Sequence, residues 1–176
     1  MSHLKVQLGA LALGAAVTAF AGTAIAQEKG VVMMPKLSAK LANELVGESV
    51  AACAAKGYPV VAVVVDLDGV RQAVLRGDNA PIHSMDNAYF KAYTVASMGP
   101  PRKEETTKAI ADRLAKAAPT TVPTVPLPNV TYAQGGVAIK SGETFIGAIG
   151  VSGAPGGHLD EECIRTAMAK IADRIK

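Results

Sequence analysis

Two histidines, His83 and His158, are the side chains best suited to chemistry in this 176-residue chain. An imidazole near neutral pH serves as a metal ligand or as a proton carrier. His83 stands in NAPIHSMD, where a loop runs into a helix, and Asn87, Phe90, Lys91 and Thr94 follow at helical spacing. Such a histidine is either a ligand held at a rigid helix start or an ordinary polar residue opening a helix. His158 stands in GVSGAPGGHLDEEC, after a glycine-rich turn whose backbone N–H groups could cradle an anion such as a carboxylate. The plainer reading is a strand-to-helix connection, for which Gly and Asp are common chemistry.

Other reactive arrangements are missing from the sequence. The glycines are not followed by Lys and Ser or Thr, so a nucleotide P-loop is excluded. Ser84 lies beside His83, but no GxSxG is present, and Glu104, Glu105, Glu161 and Glu162 read as first-turn helix charges. No catalytic residue is assigned. No CxxC, CxxCH or Cys/His cluster occurs, which excludes structural zinc and covalently attached c-type haem. Cys53 and Cys163 are either paired across a loop of about 110 residues or two buried, unreactive thiols. The buried-thiol reading is the simpler, because sequence does not bring the two Cβ atoms together.

These residues need elements to hold them. Residues 1–26 read as a secretory signal: Lys5 gives a positive start, Val6–Gly22 is apolar, and Ala24-Ile25-Ala26 supplies a small-x-small cleavage pattern before Gln27. The expected product is soluble and periplasmic or secreted, without membrane insertion. Residues 27–36 are expected to be a mobile arm and 37–176 a single domain. Ser38 caps a first helix with Leu41, Leu45, Ser49, Ala52 and Cys53 on one face, closed by Gly57. The Pro59–Val65 run is apolar enough to be covered on both faces. Asp68-Gly69 turns it back through Val70–Arg76. A second helix runs from His83 or Ser84 to about Met98, with Met85, Ala88, Tyr89, Ala92 and Ala96 as its core stripe. Pro100 and Pro101 end it, and Arg102–Ala117 is expected to be helical. Residues 118–130 carry four prolines and read as irregular. A second hairpin, Gly136–Lys140 and Thr144–Ser152, precedes a final helix with Cys163, Ile164, Ala167, Met168, Ile171 and Ile175 in one stripe. Gly147 and Gly150 inside its last strand imply a bulge or the close approach of another backbone. The order α-β-β-α-α-β-β-α predicts an α+β domain with an antiparallel sheet, and a Rossmann-type reading fails.

Composition narrows the partners. Lys+Arg 18 against Asp+Glu 15 gives +3, with aromatics at 4% and no Trp. A nucleic-acid binder would need a clustered basic face or stacking aromatics, so nucleic acid is not an expected partner. Hydrophobic residues at 49% exclude disorder.

Three stretches together carry a family pattern: VVAVVVDLDGVRQAVLRGDNA (60–80), HSMDNAYFKAYTVAS (83–97) and QGGVAIKSGETFIGAIGVSGAPGGHLDEEC (134–163). In order and with matching gaps, they resemble the GlcG/HbpS family of small haem-binding proteins, also found as the C-terminal domain of PduO-type proteins. The resemblance implies a profilin-like antiparallel sheet flanked by helices, a homo-oligomer, and non-covalent haem b near subunit interfaces. Roles implied are haem storage, delivery or redox sensing. The His-[ST]-x-Asp start at His83 and the residues Lys91, Tyr93 and Thr94 resemble the exported subgroup. The stretch from Met85 to Phe90 is bulkier than usual there, which alters the expected pocket. On this resemblance His83 is the expected axial ligand of haem iron. Met85, Phe90 and Tyr93 are expected against the porphyrin and Lys91 at a propionate, with His158 as second candidate ligand. Two other function classes remain: an enzyme or accessory acting on a small organic acid held by Gly153–Gly157, and a structural oligomer that binds nothing.

Overall fold

The computed structural model describes residues 30–118 and 125–175. The expected signal, residues 1–26, lies outside them, as does the 119–124 part of the proline-rich stretch. Met34–Lys176 form one compact unit. Among the described residues, four α-helices, α1 (Ala39–Ala54), α2 (Ser84–Met98), α3 (Thr107–Lys116) and α4 (Gly157–Ile171), accompany four strands, β1 (Val61–Val65), β2 (Arg71–Arg76), β3 (Gly136–Ser141) and β4 (Thr144–Ser152). The element order is the one expected, and so is the α+β class. All pairings are antiparallel in one sheet ordered β2-β1-β4-β3.

β1 occupies an inner position, and all five of its residues are buried. Its alternation assigns the two faces. Ala62 and Val64, with Val60 just before the strand, face a cluster built with Leu45 and Val46 of α1 and Ile164, Ala167 and Ile171 of α4. Val61, Val63 and Val65 face Ala88, Ala92 and Val95 of α2 and Ile110 of α3. Each fully buried Leu or Ile contributes about 1.5–3 kcal/mol of transfer free energy.

The first face is also cross-linked. Cys53 of α1 and Cys163 of α4 form a disulfide, with Cα atoms 5.4 Å apart and a sequence separation of 110. The simpler expectation of two thiols is thereby corrected, because the α1–α4 packing brings together positions that the sequence keeps far apart. On the second face, small residues meet where α2 crosses β4. A Cβ on Gly150 of β4 would stand 2.1 Å from the Ala88 carbonyl oxygen and 2.7 Å from the Ala92 nitrogen. The close approach expected at Gly150 is that of α2.

Two further expectations change. The third helix begins at Thr107, not Arg102. Pro100–Arg102 form a 3₁₀ turn and Lys103 is left-handed at φ 56°, so the chain reaches α3 only at Thr106, whose Oγ1 accepts from the Ala109 N–H. Met85, expected in the core stripe of α2, is 37% exposed. The rest of that stripe, Ala88, Tyr89, Ala92 and Ala96, is buried as expected, and Ser84 and Val95 join it.

Lys36, the last residue of the expected arm, bonds Asp66 and Asp68 across the β1–β2 turn at 2.7 and 3.1 Å. Burial alone would raise the Asp66 carboxyl. Hydrogen bonds from Lys36 and from the Val70 and Asp68 N–H groups outweigh it and hold the group below its ordinary value.

Candidate functional site

His83 is the N-cap residue of α2, and the loop bringing it there is hydrogen-bonded throughout. Gly77 N–H donates to Val60 O, Ala80 N–H to Gly77 O, and Arg76 Nε and Nη2 to Ala80 O. Ser84, Met85 and Asn87 N–H groups then donate to Pro81, Ile82 and His83 carbonyls. The imidazole caps nothing, is solvent-exposed, and makes no hydrogen bond to the described residues. Ile82 and Met85, its neighbours in sequence, are 81% and 37% exposed.

His83, Asn87 and Lys91 lie one turn apart along α2 and form one wall of an open cleft of about 350 Å³. The opposite wall is the Gly153–Gly157 turn between β4 and α4, with Asp160 below it. The two chemistry-bearing stretches singled out from sequence therefore meet in one place. Asn87 Nδ2 donates to Ser152 Oγ at 2.9 Å. Lys91 Nζ donates to Asp160 Oδ2 at 2.7 Å and to Val151 O at 2.8 Å, and Asp160 Oδ1 accepts from Ala154 N–H at 3.0 Å. Burial pushes the Asp160 carboxyl up from its ordinary value, against the charge and hydrogen bond of Lys91. The N-cap of α4 is Gly156, so no side chain caps that helix.

The other expected site residues divide. His158 sits exposed in the first turn of α4, its ring close beside Gly156, which lines the cleft. Lys91 is not available to a propionate, because its ammonium is buried in the Asp160 pair. Phe90 and Tyr93 gather around Tyr89, with ring centroids 5.9 and 5.8 Å from it, and Tyr89 Oη donates to Gly69 O. The Arg71 guanidinium stacks 3.5 Å from the Tyr89 centroid. That cluster serves the β1–β2 turn. Asn87, Ser152 and Asp160 were not assigned from sequence. Asn87 had a signal, its spacing of four from His83; Ser152 and Asp160 had none strong enough to place them opposite α2. A second cavity of about 390 Å³, lined by residues that include Lys140, Arg165 and Met168, contains no histidine.

As a test of fit to haem, the donor set is suited in part. An exposed imidazole at a helix start, with Ile82 and Met85 exposed in the same stretch, can ligate iron. The cleft beside it is polar and suits a carboxylate, a haem propionate included, while the macrocycle itself would lie over the cleft mouth. Both cysteines are used in the bridge, leaving no thiol among the described residues for covalent attachment.

The family model described as "Haem degrading protein HbpS-like" matches residues 37–169. Among solved structures, a double mutant of Streptomyces reticuli HbpS is similar at 30% identity and TM-score 0.70, over 84% of this chain and 95% of that one. The PduOC complex with haem is similar at 26% identity and TM-score 0.66, over 76% and 94%. Klebsiella pneumoniae ORFY shares the fold at 20% identity and TM-score 0.70, over 82% and 97%. No curated protein gives a match. With the family model spanning most of the chain and the three sequence motifs falling within it, the protein belongs to the HbpS-like family.

Proposed function

We propose that the protein binds haem b non-covalently through His83 as axial ligand, holding it for storage, delivery or redox sensing outside the cytoplasm. The observation that carries this reading is the free, exposed imidazole carried by the α2 N-cap on the wall of the cleft, with Ile82 and Met85 exposed in the same stretch of chain. The relatives add support: one similar structure is a haem complex, and the family model is described by haem chemistry. His83 would hold the iron, Met85 and Ile82 would cover a porphyrin edge, and His158 is the second candidate ligand from the cleft rim or from another subunit of a homo-oligomer. Bound haem supplies a redox-active iron. The protein's own part is to fix the imidazole and keep apolar surface beside it. Compartment and signal cleavage are part of the same proposal, supported by the n-terminal pattern of residues 1–26 and by a disulfide of the kind that persists in oxidising surroundings.

The test is a hemin titration of the mature protein, wild type against His83→Ala, read by Soret absorbance. Saturable binding with a sharp Soret band, lost in the variant, is expected. Unchanged binding in His83→Ala would move the ligand to His158, and no saturable binding in wild type would overturn the haem reading. A band that survives incubation with a reductant supports holding, whereas bleaching would point to degradation.

The cleft favours one second reading, a small organic acid held by the Gly153–Gly157 turn with Asn87 and Ser152 alongside. A carboxylate-dependent rise in melting temperature without hemin binding would select it.

A further inference from the structure

The ion pair between Lys91 and Asp160 has no part in the ligand contacts proposed above. Both side chains are only 3% exposed, and burying two charges carries a large desolvation cost. Well-packed apolar residues in place of such a pair are often as stable or more so, so fold stability alone does not account for it. Its geometry offers an account. Lys91 belongs to the helix that carries His83 and Asn87. Its ammonium reaches the end of β4 through Val151 O and the start of α4 through Asp160. The second oxygen of Asp160 holds Ala154, inside the glycine turn. Room is cleared for the pair by Gly135, at φ 118°, where a Cβ would stand 2.8 Å from Lys91 Nζ and 2.9 Å from Asp160 Cβ.

We propose that the Lys91–Asp160 pair is a positioning device that fixes the Gly153–Gly157 turn against the His83-bearing helix, setting the width of the cleft before any ligand arrives. Both residues line the cleft, but their charged atoms are turned on each other rather than offered to a ligand. Where the ligand is hemin, the inference rests on the haem reading; where it concerns the turn itself, it stands alone.

The discriminating variant is Lys91→Met/Asp160→Leu, since either single change strands a buried charge. Two readouts are taken on wild type and double variant: amide hydrogen exchange at Ala154 without ligand, and hemin affinity with Soret position. With cooperative unfolding retained, exchange at Ala154 is expected to accelerate about tenfold or more. Hemin binding is expected to weaken by about tenfold with a displaced Soret maximum. Unchanged exchange at Ala154 overturns the proposal. Faster exchange with unchanged hemin affinity and spectrum also overturns it, leaving the pair a purely structural tie. If wild type binds no hemin, the haem reading fails separately, and the exchange result alone decides this proposal. Should the double variant not fold, Asp160→Glu keeps the charges and moves the carboxylate by one methylene; unchanged readouts there overturn it equally.

Discussion

The two faces of the sheet are covered by different means. On one, α1 and α4 present Leu45, Val46, Ile164 and Ile171 to Ala62, Val64, Ile149 and Val151, and a disulfide joins the helices at Cys53 and Cys163. Exposed ion pairs, Lys56–Glu162, Lys170–Glu48 and Arg174–Glu44, border that pairing. On the other, α2 lies against Gly136, Ala138, Ala148 and Gly150 with its own alanines, close enough for backbone to meet backbone. Its end carries polar groups: Lys91–Asp160 is buried, and Asn87 reaches Ser152. Branched side chains and a covalent bond make one face a support. Small residues and fixed polar contacts make the other a place where a helix, a turn and a free imidazole are held in register.

The largest effect expected on either face is loss of the bridge. Cys53→Ser/Cys163→Ser should cost about 4–5 kcal/mol on the chain-entropy model. Urea unfolding checks it, and the folded fraction should still bind hemin as wild type does. A loss below about 1 kcal/mol would remove the contrast between the faces.

Adjacent residues of β4 sharpen the contrast next. Gly150→Ala drives a methyl into the Ala88 carbonyl and should cost about 1–3 kcal/mol or more. Ile149→Val removes a methylene from the opposite face and should cost about 0.5–1.5 kcal/mol. Paired denaturation curves check the order, in which adding one carbon costs more than removing one.

A smaller effect is expected in acid. Asp66, Glu44 and Glu162 all have carboxyls lowered from their ordinary values. Asp66 is lowered by the hydrogen bonds that outweigh its burial, Glu44 by Arg174 and Glu162 by Lys56. A lowered folded-state value gives stability that is present above the unfolded value, near pH 4, and lost as pH falls through the folded one. Melting temperature should therefore decline below about pH 4, and Lys36→Ala should flatten part of that decline. Asp160 has the opposite sign: its raised carboxyl value makes ionisation costly to the fold as pH rises past the unfolded value. Smallest of all, Lys108→Ala should cost about 0.3–0.5 kcal/mol, because the Lys108–Asp112 pair is exposed on both sides.

The sequence made the support face legible further than the site. The uniformly apolar Val60–Val65 run announced a strand covered on both sides, and the stripe from Cys163 to Ile171 announced the helix that covers it. Gly150 announced a close approach, though not by which helix. The disulfide is not legible in the sequence, because pairing depends on how α1 lies on α4, which no local pattern encodes. α3 was drawn too early because Lys103 takes a left-handed conformation after two prolines, a turn without a strong residue signal. Met85 fits a helical stripe by spacing, yet its position at the first turn leaves it over the helix end and in solvent. The pairing of Lys91 is hidden from the sequence, because its partner, Asp160, lies 69 residues away. His83 and the glycine turn were both found by residue type; their meeting in one cleft is a property of the fold.

On the proposed reading, ligand is received on the α2 face, between His83 and the glycine turn. A backbone amide shift map of the mature protein titrated with diamagnetic gallium protoporphyrin IX tests this. Saturable shifts concentrated in residues 81–87 and 152–158 are expected, with α1 and the C-terminal half of α4 unmoved. Shifts centred on Lys140, Met168 and Ala172, or none that saturate, would contradict it.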